Sequence, residues 1–140
     1  MTYIKRPGLD EYFIEIAAVV AKRSTCLRNQ VGAILVKNKN ILTTGYNGAP
    51  AGIEHCDVAG CELCRAVHAE QNAIIQAAMH GISIEGATLY CTHQPCILCA
   101  KMIINARVAK VVYLHCYPDQ TALDFLEQAG IEVARENKSL

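Results

Sequence analysis

The sequence predicts a three-layer α/β/α protein: a central five-stranded mixed sheet with helices on both faces. Three observations lead there. Apolar residues switch between helical and alternating spacing in short segments. Glycines stand where two helical segments should stop. The second half of the chain alternates helix with strand, the pattern of parallel strands joined by crossover helices.

Residues from about 9 to 23 carry Phe13, Ile16, Ala17 and Val20 at helical spacing, predicting a first helix. Residues 31–37 read as a strand, Lys37–Asn40 as a turn and Ile41–Tyr46 as a second strand, together a hairpin. Residues 47–64 form an 18-residue loop rich in Gly and Cys. A loop of that length inside a compact domain is functional or held by something. Residues 68–80 predict a helix closed by Gly81, and residues 87–92 a strand. Residues 96–106 predict a helix with Pro95 at its N-terminal position, where a missing N–H costs nothing. A strand over 110–115, a helix from 119 ended by Gly130 and a short strand over 131–135 complete the order.

At 140 residues the chain is expected to be one domain, residues 1–140, with its core between about 9 and 134. No apolar run approaches the ~20 residues of a membrane span, and the first residues lack a secretory h-region, so the expected location is cytoplasmic. Lys plus Arg and Asp plus Glu balance at 13 each. That argues against a polynucleotide partner, whose backbone calls for clustered cations, but allows a single phosphate on a small ligand.

The eight cysteines are the unusual feature. In a reducing compartment they point to metal binding or catalysis before disulfides. Cys96 and Cys99 stand at i and i+3 at the start of a predicted helix, where the helix dipole favours thiolate. His68 begins the preceding helix in the same way. Two helices separated by one strand can bring their N-termini to one sheet edge. One imidazole and two thiolates would hold a zinc ion with a fourth position open to water, lowering the water pKa to about 7. Glu70, two residues past His68, is turned too far round the helix to bind the same metal and is placed to act as general acid and base.

His68-Ala69-Glu70, followed after 24 residues by Pro95-Cys96-x-x-Cys99, matches the signature of zinc-dependent nucleobase deaminases. With Arg23–Cys26, residues 31–36, Gly45–Pro50, Arg65–Ile74, Glu85–Tyr90, Pro95–Asn105 and residues 111–113, the chain resembles the deoxycytidylate (dCMP) deaminase family, including its competence-locus and phage members. The resemblance implies a cytidine deaminase-like fold and hydrolysis of dCMP to dUMP and ammonia, supplying thymidylate synthesis. Water attacks C4 of the cytosine ring; Glu70 takes the water proton, delivers it to N3 and later protonates the leaving amine. Asn47 would meet the sugar, and backbone groups near Ala69 the pyrimidine edge. Arg23 and Ser24 are the candidates for the 5′-phosphate, and Tyr117 for closing over the ligand. The family also implies a homo-oligomer, commonly a hexamer. It further implies activation by dCTP with Mg²⁺ and inhibition by dTTP, through a second nucleotide site that includes Gly45, Tyr46, Asn47 and Gly48.

Cys26, Cys56, Cys61 and Cys64 can close a second, structural zinc site that would order the long loop, with His55 in reserve. Some family members carry such a zinc. Cys91 and Cys116 read as small packed hydrophobes. His80, His93 and His115 have no ligand spacing and read as solvent-facing or capping. Asp119, Asp124 and Glu127 read as a solvated helix face. Two competing functions share parts of the pattern: a tRNA adenosine deaminase, disfavoured by the neutral charge and the Cys-rich loop, and a structural zinc module, which would have no use for Glu70.

Overall fold

The computed structural model describes residues 4–57 and 63–137. The elements run α1 (Leu9–Ala21), β1 (Gly32–Lys37), β2 (Asn40–Tyr46), α2 (Ala69–His80), β3 (Thr88–His93), α3 (Ile97–Asn105), β4 (Lys110–His115), α4 (Gln120–Gln128) and β5 (Glu132–Arg135). The sheet order is β2-β1-β3-β4-β5. β1 is antiparallel to both β2 and β3, while β3, β4 and β5 are parallel. The expected mixed five-stranded sheet is present.

Alternation along the strands decides the layers. Ala33, Leu35, Leu89, Cys91, Val111 and Tyr113 face α2, α3 and α4 in one core. Their neighbours Ile34, Val36, Tyr90, Val112 and Leu114 face Phe13 and Ile14 of α1 in the other. A period of two sends successive side chains to opposite faces, so nearly every residue of the central strands is buried.

Two glycines let helices touch the sheet closely. A Cβ on Gly32 would lie on the Ala17 carbonyl and Ala21 amide of α1; one on Gly45 would lie on the Ala69 carbonyl and Ala73 amide of α2. The hairpin turn uses left-handed residues Asn38 (φ 52°) and Lys39 (φ 63°), whose twist matches the strands.

Boundaries differ from expectation in small ways. α1 stops at Ala21, because the backbone tightens at Lys22–Ser24. Pro95 lies one residue before the α3 N-cap, which is Cys96. Cys91 is buried, as expected for a packed thiol, and its Sγ donates to the Val112 carbonyl at 3.7 Å. Cys116 is exposed instead of packed, since it follows the last residue of β4. Among the described residues no helix is long and apolar enough to cross a membrane.

Candidate active site

The starts of α2 and α3 meet beside β3, and each presents metal-type ligands. His68 is the N-cap of α2, with extended backbone (φ −69°, ψ 154°). It is held there by a bridge between Gly48 and Val67, with N–H···O distances of 3.2 and 2.8 Å. Gln71 closes the turn: its Oε1 accepts the His68 N–H at 2.9 Å. Asn72 Nδ2 donates to the Tyr46 carbonyl at 2.8 Å and ties the same turn to the end of β2.

Cys96 is the N-cap of α3, and Cys99 lies in its first turn. His68 Nδ1 stands 3.2 Å from Cys99 Sγ and 3.5 Å from Cys96 Sγ. All three ligand atoms fall within 4.8 Å of one another. The three residues that spacing alone singled out are brought together.

Glu70 is only 4% exposed, inside the first turn of α2. Burial pushes its carboxyl up from the ordinary range, while a hydrogen bond with the Cys99 thiol and its own backbone N–H pull it back. Without a metal the two thiols share a proton: Cys96 is lowered to about 4, chiefly by the hydrogen bond from Cys99, and Cys99 is pushed up in turn. The bond to Cys96 raises His68, against the effect of burial.

The triad opens on a cavity of about 370 Å³. Its wall includes His68, Ala69, Glu70, Cys96, Asn47 and Tyr117, all expected at the site. Asn47 is 8% exposed and heavily committed. Its Oδ1 accepts from Val31 N–H at 2.8 Å and from the Ser24 hydroxyl, and its Nδ2 donates to the Asn29 carbonyl at 2.8 Å. Among the described residues the second N–H of that amide has no acceptor, and it lies at the cavity wall.

Arg23 and Ser24 do not reach the wall. Arg23 is exposed, and the buried Ser24 hydroxyl is used inside the protein by Asn47 and the Cys26 N–H. The cavity's arginine is Arg28, five residues on, which makes no ion pair among the described residues. Nothing in the spacing marks it, because it stands in the irregular link between α1 and β1. Gly45, Tyr46 and Gly48 are not part of this wall; Gly45 serves the packing of α2.

Cys26 and Cys64 line the same cavity. Among the described residues, Cys26, Cys56 and Cys64 do not gather within 4.8 Å as the catalytic triad does, and Cys61 lies outside the described residues. His93 and Gln94 also line the wall, so His93 is no surface histidine. The His93 ring lies 4.9 Å from that of His115, and burial lowers its pKa. Asp119, expected on a solvated face, instead accepts backbone N–H groups from two helices.

The donor set suits zinc: one imidazole nitrogen and two sulfurs, three ligands in all, leave room for water in a tetrahedral site. With a buried carboxyl beside them, this is the chemistry of a hydrolase that works through one metal ion. The chain belongs to the cytidine and deoxycytidylate deaminase family, whose zinc-binding region matches residues 7–115. It is 40% identical over 136 residues to ComE operon protein 2 of Bacillus subtilis (strain 168), across 93% of this chain and 72% of that protein. Deoxycytidylate deaminase of Mycobacterium phage D29 is 40% identical over 126 residues, 79% of this chain and 97% of that one. The crystal structure of dCMP deaminase from the cyanophage S-TIM5 in complex with dCMP and dUMP has a TM-score of 0.87 at 40% identity, covering 95% of this chain and 100% of that chain.

Proposed function

We infer that this chain hydrolyses dCMP to dUMP and ammonia. The observation that carries the reading is the placement of buried Glu70 beside the His68–Cys96–Cys99 triad, on the wall of a cavity sized for one nucleotide. Deoxycytidylate deaminases 34–40% identical to this chain, and a relative with dCMP and dUMP bound, support the substrate.

A zinc ion held by His68 Nδ1, Cys96 Sγ and Cys99 Sγ would supply a Lewis acid and a water of lowered pKa. The protein supplies the rest. Glu70 removes one proton from the attacking water and delivers it to ring N3, then takes the second from the hydroxyl now on C4 and gives it to the amine, so that C4–N breaks and a C4 carbonyl remains. Burial raises this carboxyl above the ordinary glutamate range, which favours its holding a proton between the two transfers. Asn47, with both acceptor positions used internally, meets the sugar as a donor. Arg28 takes the 5′-phosphate in place of Arg23 and Ser24, and Tyr117 borders the same cavity. Arg28→Ala is expected to raise KM for dCMP by about 10- to 100-fold with kcat little changed, the loss of one charge-assisted contact.

The second zinc, at Cys26, Cys56, Cys61 and Cys64, belongs to the same reading. Two of these thiols border the cavity, so metal there would brace the wall that holds the nucleotide. Metal analysis should find about two zinc per chain; one zinc, unchanged in Cys61→Ser, removes that site. A cytoplasmic location suits ligands that must stay reduced. Control by dCTP with Mg²⁺ and by dTTP, and a homo-oligomer, rest on the family resemblance. Velocity against dCMP with and without each nucleotide, and mass in solution, test them.

Ammonia release from dCMP, CMP, deoxycytidine, dCTP and a tRNA anticodon stem tests the substrate. A strong preference for dCMP is expected. Preference for deoxycytidine would overturn the nucleotide reading and the Arg28 assignment with it.

A further inference from the structure

The two ends of the metal triad are anchored differently, and the anchor of α3 comes from far along the chain. Cys96, its N-cap, makes no side-chain cap hydrogen bond. The first N–H groups of a helix need acceptors, and the usual source is the N-cap side chain. Here the acceptor is Asp119. Its Oδ2 accepts the Ile97 N–H at 2.8 Å, while Oδ1 accepts the Ala122 N–H at 3.0 Å and caps α4. One carboxylate therefore caps two helices. Gln94, 6% exposed and two residues before Cys96, adds a second tie. Its Nε2 donates to the Asp119 carbonyl at 2.9 Å, its Oε1 accepts the Tyr117 N–H at 3.4 Å, and its own N–H donates to the His115 carbonyl at 2.8 Å.

We propose that Asp119 is a positioning residue for the metal centre, holding the first turn of α3 so that Cys96 and Cys99 face His68 and fixing the loop that brings Tyr117 to the cavity. The Cys96 sulfur is turned toward His68, and the N–H of the next residue, Ile97, is taken by Asp119 from the following loop. The distances tie this carboxylate to the turn between the two sulfurs, since Ile97 follows Cys96 directly. The proposal rests on the zinc reading of the triad and not on the identity of the substrate.

The test uses purified full-length protein loaded with zinc, and separately with cobalt(II). Zinc affinity is measured by competition with a chromophoric chelator, and the visible absorption of the cobalt form reports ligand geometry. Asp119→Ala should weaken zinc by about 10- to 100-fold, the usual effect of removing a group that orients metal ligands, and alter the cobalt spectrum. Asp119→Asn keeps one acceptor oxygen of two and should fall between; it also serves if the alanine variant does not fold. Asp10→Ala, which removes the 2.7 Å hydrogen bond to Tyr90 on the opposite face of the sheet, should lower Tm and leave zinc affinity and the cobalt spectrum unchanged. Wild-type zinc affinity and spectrum in both Asp119 variants would overturn the proposal. So would an equal loss of affinity in Asp10→Ala. Because these readouts need no substrate, failure to deaminate dCMP would strike the functional reading and leave this one standing.

Discussion

The starts of α2 and α3 do the same job by different means. Each delivers a ligand from its N-cap, His68 in one case and Cys96 in the other. At α2 the N-cap N–H is satisfied within the first turn, by Gln71, while Asn72 and Gly45 fix the helix on β2. At α3 the brace comes from Asp119, 22 residues beyond its partner Ile97. A brace inside the first turn forms with its helix, whereas the Asp119 brace ties the metal ligands of α3 to the Tyr117–Asp119 loop. Only α2 also carries the buried carboxyl of Glu70, on the end whose N-cap N–H is satisfied within its own first turn.

The comparison breaks first at the ligands, where both ends should count equally. His68→Ala and Cys99→Ser are each expected to remove the catalytic metal and bring dCMP turnover to background, with metal content falling by about one per chain. A variant at either end that kept full metal and activity would show that the ends do not share an ion. Glu70→Gln separates them: kcat should fall by about 10²- to 10⁴-fold while zinc stays bound, because only a proton carrier is lost. Survival of activity would remove the carboxyl from the mechanism.

Acidity acts on both ends together. Zinc must displace the proton that Cys99, pushed up beside the Cys96 thiolate, retains, and must take His68 in its neutral form although its pKa is raised. Both shifts have the same sign, so lowering pH favours the protonated, metal-free state. Zinc affinity should weaken by about tenfold per pH unit for each proton displaced, and metal uptake at neutral pH should acidify a weakly buffered solution. A pH-independent affinity between pH 6 and 8 would contradict the shared-proton description.

Smaller effects sharpen the contrast. Gly45→Ala should destabilise by about 1–3 kcal/mol in chemical denaturation, because the new methyl must push α2 off β2. Gln71→Ala should cost about 1 kcal/mol, the scale of a lost helix-start hydrogen bond, and should leave the cobalt spectrum less disturbed than Asp119→Ala. An equal disturbance would mean that the two ends are braced alike.

The metal triad and the carboxyl beside it were legible in the sequence because metal chemistry restricts ligand type. His68, Glu70, Cys96 and Cys99 stand at fixed offsets from helix starts that glycine, proline and apolar spacing already mark. The place of Arg28 on the cavity wall is not legible, since an arginine in an irregular link has no periodicity to betray it. Ser24 illustrates why. A hydroxyl suited to phosphate was taken by Asn47, a partner 23 residues away that no local pattern reveals. Asp119 is hidden for the same reason: on its own helix it looks like one more exposed acid, while its second acceptor oxygen is spent on α3.

By itself the sequence determined the order of elements, the two-faced burial of the central strands and the residue types able to hold a metal. Those follow from periodicity and donor chemistry, which act within a few residues. The tertiary structure alone decided which polar groups are already spent and which remain for a ligand. Hydrogen-bond capacity is finite and is allotted among groups distant in the chain, so it can be counted only once the sheet has brought them together.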